Sequence, residues 1–218
     1  MGRARRSWRS LLGVALVLAG IGVLGYLGWQ YAGTNWVAER KHQQVTDELR
    51  GAWKDGVSER ATSAGVAGAV IRIPRFGDDY EVPVLEGSSD TVLAAGFGHL
   101  EGTAEPGARG NYVISGHRVT HGEPLRGMPD LEVGDEILVE TARAVHTYEL
   151  TTGGDALSVP FTTGWVLEAL PRNPDGGPQP DQRAGSRLLT LTTCAELFHT
   201  DHRLVAFGRL VDVEHKDA

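Results

Sequence analysis

The sequence predicts an all-β domain of about eight strands, closed into a barrel with short connecting helices and preceded by one N-terminal transmembrane helix. Three observations predict it. Residues 11–27, LLGVALVLAGIGVLGYL, are almost wholly apolar, and no charged side chain occurs from Ser10 to Ala38. From about Gly68 onward the chain is a series of short β-type runs broken by Gly, Pro and Asp, with no long amphipathic helix among them. A closed barrel accommodates so many short strands without leaving exposed edges.

The apolar run comes first in the chain and is close to the roughly 20 residues a helix needs to cross a bilayer. A cleaved signal peptide would carry a shorter apolar region, of about 7–15 residues, followed by a small-x-small site. No such site follows. Arg3, Arg5, Arg6 and Arg9 precede the run, whereas Glu39, Arg40 and Lys41 nearly balance one another after it. The positive-inside bias therefore keeps the N-terminus cytoplasmic and sends the rest of the chain outward. Trp29, Tyr31 and Trp36 fall where an aromatic belt would meet the outer headgroups.

The resulting division is a cytoplasmic N-terminus over 1–10, a membrane anchor over 11–32, a polar stalk over 33–65, the folded domain over 66–213 and a tail over 214–218. The 218-residue chain has room for one domain of about 150 residues behind the anchor. In the stalk, Val45, Leu49 and Ala52 recur at helical spacing, and ATSAGVAGA marks its boundary with the domain. The chain carries a net charge of −7, and the four arginines ahead of the apolar run leave the remainder more acidic still. Such a surface repels phosphate backbones and speaks against nucleic-acid binding.

Candidate strands cover 69–73, 80–85, 91–97, 111–117, 135–140, 146–150, 187–193 and 203–211. Residues 171–187, PRNPDGGPQPDQRAGSR, hold too much Pro and Gly for a regular element and read as a long mobile loop leading into the strand RLLTLTT.

That strand ends at Cys194, the only cysteine. One thiol cannot close an intramolecular disulfide or build a multi-thiolate metal site. It is a buried filler, a partner-linking thiol or a nucleophile. A cysteine nucleophile needs a group that manages its proton, and acyl transfer needs donors aimed at the developing oxyanion. His117 ends the β-like run YVISGH, where a rigid sheet can aim a side chain into a groove; the alternative is a strand-end histidine satisfied by a carbonyl. Arg203 shares strand parity with apolar Val205 and Phe207, an odd setting for a surface charge, and Arg209 is a weaker rival of the same parity. A guanidinium stays protonated, so it can donate throughout a catalytic cycle but cannot act as base.

With TLTTC at 190–194, Arg203 nine residues later and GHR at 116–118, the chain resembles the sortases, cysteine transpeptidases of Gram-positive surfaces. The resemblance extends over IRIPRFG (71–77), GFGHLEGTAEPGARGNYVISGHR (96–118) and GEPLRGMPDLEVGDEILVE (122–140), roughly residues 66 to 213. It is greatest to class E, the housekeeping type of actinobacteria. It implies a sortase-type eight-stranded barrel, with Cys194 as nucleophile on the Thr–Gly carbonyl of an LPxTG- or LAxTG-like C-terminal sorting signal. His117 would be general acid and then base, Arg203 the donor to substrate backbone and oxyanion, and Thr192 and Thr193 part of the signal groove. The implied partners are secreted proteins bearing that signal and a peptidoglycan precursor amine as acyl acceptor, and neither cofactor nor metal is called for. Class E sequences commonly carry Tyr directly after GxGH, where it is associated with reading the Ala of LAxTG; here that substrate-binding position is Leu100.

Weaker signals include Glu196, His199 and His202, a metal-binding trio or a solvated turn. His117 and His121 have helical zinc spacing, but Val119, Thr120 and flanking glycines argue against a helix. His99 lines the groove or is structural, and Asp78, Asp79 and Glu81 are a calcium loop or plain surface. Two rival functions share the same residues: a peptidase that only hydrolyses, and a tethered non-enzymatic β-domain in which Cys194 is inert. Leu100 carries a direct expectation. Transpeptidation rates on LAxTG and LPxTG peptides should change in ratio on Leu100→Tyr, and an unchanged ratio would remove this residue from the groove.

Overall fold

The computed structural model describes residues 8–28, 34–193 and 201–216. Helix α1 spans Trp8–Gly28, and its described side chains are exposed. Among the described residues no helix is both long and apolar enough to cross a membrane, so α1 does not by itself establish the anchor expected over 11–32.

Helix α2 covers Thr34–Lys54, within the segment read as a polar stalk. It lies on the barrel. Val45, Leu49 and Ala52 are buried, and Val45 and Leu49 pack with Ala67, Val70, Leu85 and Val92. The stripe that gave the segment helical spacing thus covers the outside of two strands, and Arg50 adds ion pairs to Glu81 at 2.8 Å and Glu140 at 3.2 Å. Trp36, expected in an interfacial belt, belongs to α2 and stacks under the Arg40 guanidinium at 3.6 Å. Trp29 and Tyr31 lie outside the described residues.

Among the described residues ten strands follow: β1 Arg60–Thr62, β2 Gly65–Arg72, β3 Glu81–Glu86, β4 Phe97–His99, β5 Gly110–Gly116, β6 Glu136–Glu140, β7 Ala144–Leu150, β8 Ser158–Pro160, β9 Arg187–Thr193 and β10 His202–His215. Eight of them form a ring in the order β2-β3-β4-β5-β9-β10-β7-β6, which closes where Val70–Arg72 of β2 pairs with Leu138–Glu140 of β6. The expected closed barrel is present. β1 adds to the first half of β2, and β8 adds to the start of β10. Two neighbour pairs are parallel, β3 with β4 and β5 with β9; the others are antiparallel.

The expected strand at 91–97 is a helix for its first part, α3 at Asp90–Leu93, and only Phe97–His99 is extended. Ser89 caps α3 by accepting from the Val92 amide. A parallel partner cannot be reached by a tight hairpin, so the chain between β3 and β4 must cross over, and α3 makes that crossing. Burial of Val92 and Leu93, with Asp90 and Thr91 outward, satisfies the same apolar residues that had suggested a strand.

The barrel interior is filled by alternate residues, among them Ile71, Phe97, Tyr112, Ile114, Leu189, Leu191 and Ala206. The opposite faces of β9 and β10 are buried too. Val205 and Phe207 pack with Val159, Val166 and Trp165 in a separate cluster outside the barrel, beneath the connection from β7 to β9. Asn111 ties that cover down: its Nδ2 donates to the carbonyls of Val166 and Glu168, and its Oδ1 accepts from the Thr190 hydroxyl at 2.8 Å. Residues 171–186 hold no helix or strand but bond internally, with the Asn173 amide donating to Gln179 Oε1 at 2.9 Å and the Arg183 amide to Ser186 Oγ at 2.9 Å.

Docking of α2 should be measurable as stability. Leu49 is fully buried, so Leu49→Ala should cost about 2–5 kcal/mol in equilibrium denaturation. A cost below about 0.5 kcal/mol, the range of ordinary surface substitutions, would mean that the helix is not held there.

Candidate active site

The sheet register assembles the site. β5 and β9 run parallel and in step from Gly110 opposite Arg187 to Gly116 opposite Thr193, so both strands finish at the same end of the barrel. His117 follows Gly116 directly. Cys194 follows Thr193 in the chain and, with Glu196 and His199, lies outside the described residues. On the other side of β9, β10 places Val205 opposite Thr192. The Leu204 amide donates to Thr193 Oγ1 at 3.1 Å, fastening the ends of β9 and β10 together.

Arg203 stands at the second residue of β10, opposite Val159 of β8. Its guanidinium lies 3.2 Å above the ring of Phe161. The parity argument holds, with one change: the face shared with Val205 and Phe207 is the outer face of the sheet, covered by the β7–β9 connection, and not the barrel interior. Thr192 and Thr193 are both buried, at 1% and 2% exposed. Leu100 is set apart. Its amide donates to the Val113 carbonyl, three positions back along β5 from Gly116, and it lines a cavity of about 470 Å³ with Glu86 to Ser89 and Glu101.

Gly116 makes the sharp exit from β5 possible. A Cβ there would lie 2.8 Å from the Phe97 ring and 3.3 Å from Pro124, too close for any side chain. Beyond it the chain loops out and returns, closed at its base by the Leu125 amide on the His117 carbonyl at 2.9 Å. The rings of His117 and His121 stack with centroids 4.8 Å apart and planes at 28°. That contact comes from a loop in which His121 has φ 53°, not from the helical spacing of the two residues. Burial, reinforced by His121, lowers the pKa of His117 to about 4, against a weaker opposite pull from Asp90. Among the described residues its buried Nδ1 has no hydrogen-bond partner.

A groove of about 920 Å³ adjoins the loop, walled by α2 (Trp36, Ala38, Gln44), α3 (Asp90, Thr91) and His121. Sequence reasoning read the segment of α2 as a stalk with no part in the site, and it did not single out Asp90 or Phe161. Trp36 and the stripe of α2 were visible, but nothing in the pattern said which surface they would meet. His99 sits elsewhere, buried at 3% exposure, with Nδ1 on Glu86 at 3.0 Å and Nε2 on the Ala104 carbonyl at 3.1 Å. Glu86, His99 and Glu105 bring ligand-type atoms within 4.8 Å of one another, but both nitrogens of His99 are already engaged. Glu81 of the acidic loop is taken by Arg50.

The folded-state pKa of His117 implies a definite pH response. The unfolded chain binds a proton near pH 6.5 that the folded chain takes up only near 4, so the contribution is complete above the first value and lost as pH falls through the second. The His117 imidazole resonances should therefore titrate near pH 4, and His121→Gln should move that midpoint upward. A midpoint at the ordinary histidine value, unmoved by His121→Gln, would contradict this account.

Comparison with known proteins fits the geometry. The Sortase domain family model matches residues 71–211. Sortase SrtE1 of Streptomyces coelicolor is 33% identical over 212 residues, covering 92% of this chain and 56% of the relative. The chain thus spans about half the length of that protein. Sortase E from Streptomyces avermitilis, a solved structure, has 34% identity and a TM-score of 0.61, covering 71% of this chain and 93% of its own. Sortase E1 from Streptomyces coelicolor, solved with a tripeptide in its active site, has 32% identity and a TM-score of 0.57, covering 72% and 94%.

Proposed function

The chain belongs to the sortase family, and from that premise we propose that it is a membrane-anchored transpeptidase that cleaves an LPxTG- or LAxTG-like signal between Thr and Gly and transfers the protein to a cell-wall amine. One observation carries the reading: the in-step pairing of β5 with β9, which ends on the residues preceding His117 and Cys194. Arg203 is two residues before Val205 in the chain and Cys194 two after Thr192, the pair that faces across β9 and β10. For the anchor, support comes from the uncharged, almost wholly apolar stretch of sequence behind four arginines.

The chemistry follows from the protonation states. An unperturbed thiol has a pKa near 8.5, so at pH 7 roughly 3% of it is thiolate, while His117, with its pKa near 4, is neutral. Neutral His117 accepts the thiol proton as the sulfur of Cys194 adds to the Thr carbonyl carbon. Arg203 donates to the oxygen on which negative charge develops. Collapse of the adduct breaks the C–N bond, and the imidazolium gives its proton to the departing glycine amine. The thioacyl-enzyme is then attacked by the acceptor amine. His117 takes the proton that this amine loses, and the released thiolate recovers it.

Two buried threonines support the groove: Thr192 beside Val205, and Thr193 held by the Leu204 amide. A pure hydrolase would run the same first half with water in place of the amine. Cys194→Ala should abolish the thioacyl adduct with the fold intact. His117→Ala should lower turnover by about a hundredfold or more, the range of general acid–base catalysis. Arg203→Lys, which keeps charge but loses the planar fork, should also be slow. Added amine should divert acyl product from acid to amide. Transfer retained in Cys194→Ala would defeat the assignment, and product unaffected by amine would make the enzyme a peptidase.

A further inference from the structure

We propose that Asn35 of α2 is a positioning residue for the transfer reaction: by holding the Gly122 amide and the Glu123 carboxylate together, it fixes the turn that sets the His117 ring against His121. The proposal rests on the reading of His117 as acid and base.

The turn has one bond of its own, from the Glu123 amide to the Thr120 carbonyl at 3.0 Å, and needs more than that. His121, Gly122 and Glu123 have φ of 53°, 80° and 49°, three left-handed residues in succession, two of which carry a Cβ. Such a backbone persists only where its surroundings over-determine it. The surroundings here come from 87 residues away in the chain. Asn35 Oδ1 accepts from the Gly122 amide at 3.1 Å, and Asn35 Nδ2 donates to Glu123 Oε1 at 2.8 Å. Glu123 is 7% exposed, and its other oxygen accepts from Arg126 Nη1 at 2.8 Å. The carboxylate is therefore fixed on both sides.

The same face of α2 shapes the turn sterically. Ala38 and His42, one and two turns beyond Asn35, lie under Gly122, where a Cβ would come within 3.3 Å of Ala38 and 2.8 Å of the His42 ring. His42 is buried and its pKa is lowered to about 4, so it meets the turn as a neutral ring. The groups that bear electrostatically on His117 are His121 from its own loop and Asp90 from α3. Asn35 does not line the groove, and its two bonds go to the loop, through which it acts. A proton-transfer group displaced by a fraction of an ångström loses rate without losing substrate affinity. Docking of α2 itself is secured farther along, at Val45, Leu49 and Ala52, so Asn35 can be altered without releasing the helix.

The test uses the full chain in detergent micelles, with a sorting-signal peptide and a primary amine, and follows both turnover and the His117 imidazole resonances. Asn35→Ala should lower kcat by about tenfold or more with KM within about twofold, and should displace the resonances. Asn35→Asp keeps an acceptor for Gly122 but sets a carboxylate against Glu123, and should be as slow. Adding Glu123→Gln to it restores a donor facing an acceptor with polarity reversed, and should return kcat to within about threefold of the native chain. The proposal is overturned if Asn35→Ala leaves kcat and the resonances unchanged, or if the double variant is no faster than Asn35→Asp. His117→Ala separates the two claims: full transfer in that variant would remove the acid–base role, while displacement or constancy of the resonances would still decide the clamp.

Discussion

The parallel pairing of β5 with β9 is the constraint on which the rest of the structure depends. Parallel neighbours end at the same edge of a sheet, so two side chains far apart in sequence can be delivered side by side without either strand bending. The cost is connection length. Everything from residue 117 to 186 must leave one strand and return to the start of the next, and that excursion supplies β6, β7 and β8 and the cover over the outer face of β9 and β10. Asn111 joins these consequences at a single buried amide, bonded to the neighbouring strand through Thr190 and to the cover through Val166 and Glu168.

Burial sets the charge state of the histidine that follows β5 and of the one on the docked helix. His117 and His42 are both shifted toward the neutral form for this reason first. A neutral imidazole is suited to receiving a proton, and Arg203, the cation of the proposed site, cannot lose its charge. Arg203 is half-buried near the start of β10, with its guanidinium over the ring of Phe161, which is itself exposed.

Much of this was legible in the sequence because it is written in short-range patterns. The alternation in RLLTLTT and RLVAFGRLV located β9 and β10 to within a residue at their shared ends, and Gly116 before His117 marked a strand exit that only glycine permits. The segment at 91–97 misled because a β-branched apolar run does not reveal that its strand must pair in parallel and therefore needs a crossover first. The outer-face placement of Arg203 was hidden for a related reason: parity says which residues share a face but not which face is the interior. Asn35 left no local signal at all, since its partners Gly122 and Glu123 are joined to it by the docking of α2 and not by any spacing in the chain. Leu100 was placed by resemblance, and it lines a different cavity from the groove beside His121.

The docking of α2 also decides where the polypeptide can be shortened. A soluble fragment beginning at β1 would retain every strand of the barrel, yet it would bare Val70, Leu85 and Val92 to water and leave the left-handed turn after Thr120 without its outside support. One beginning just before Thr34 would omit α1 and keep both. The natural unit of this chain is thus a barrel with a helix already strapped to it, and the border of that unit falls well ahead of its first strand.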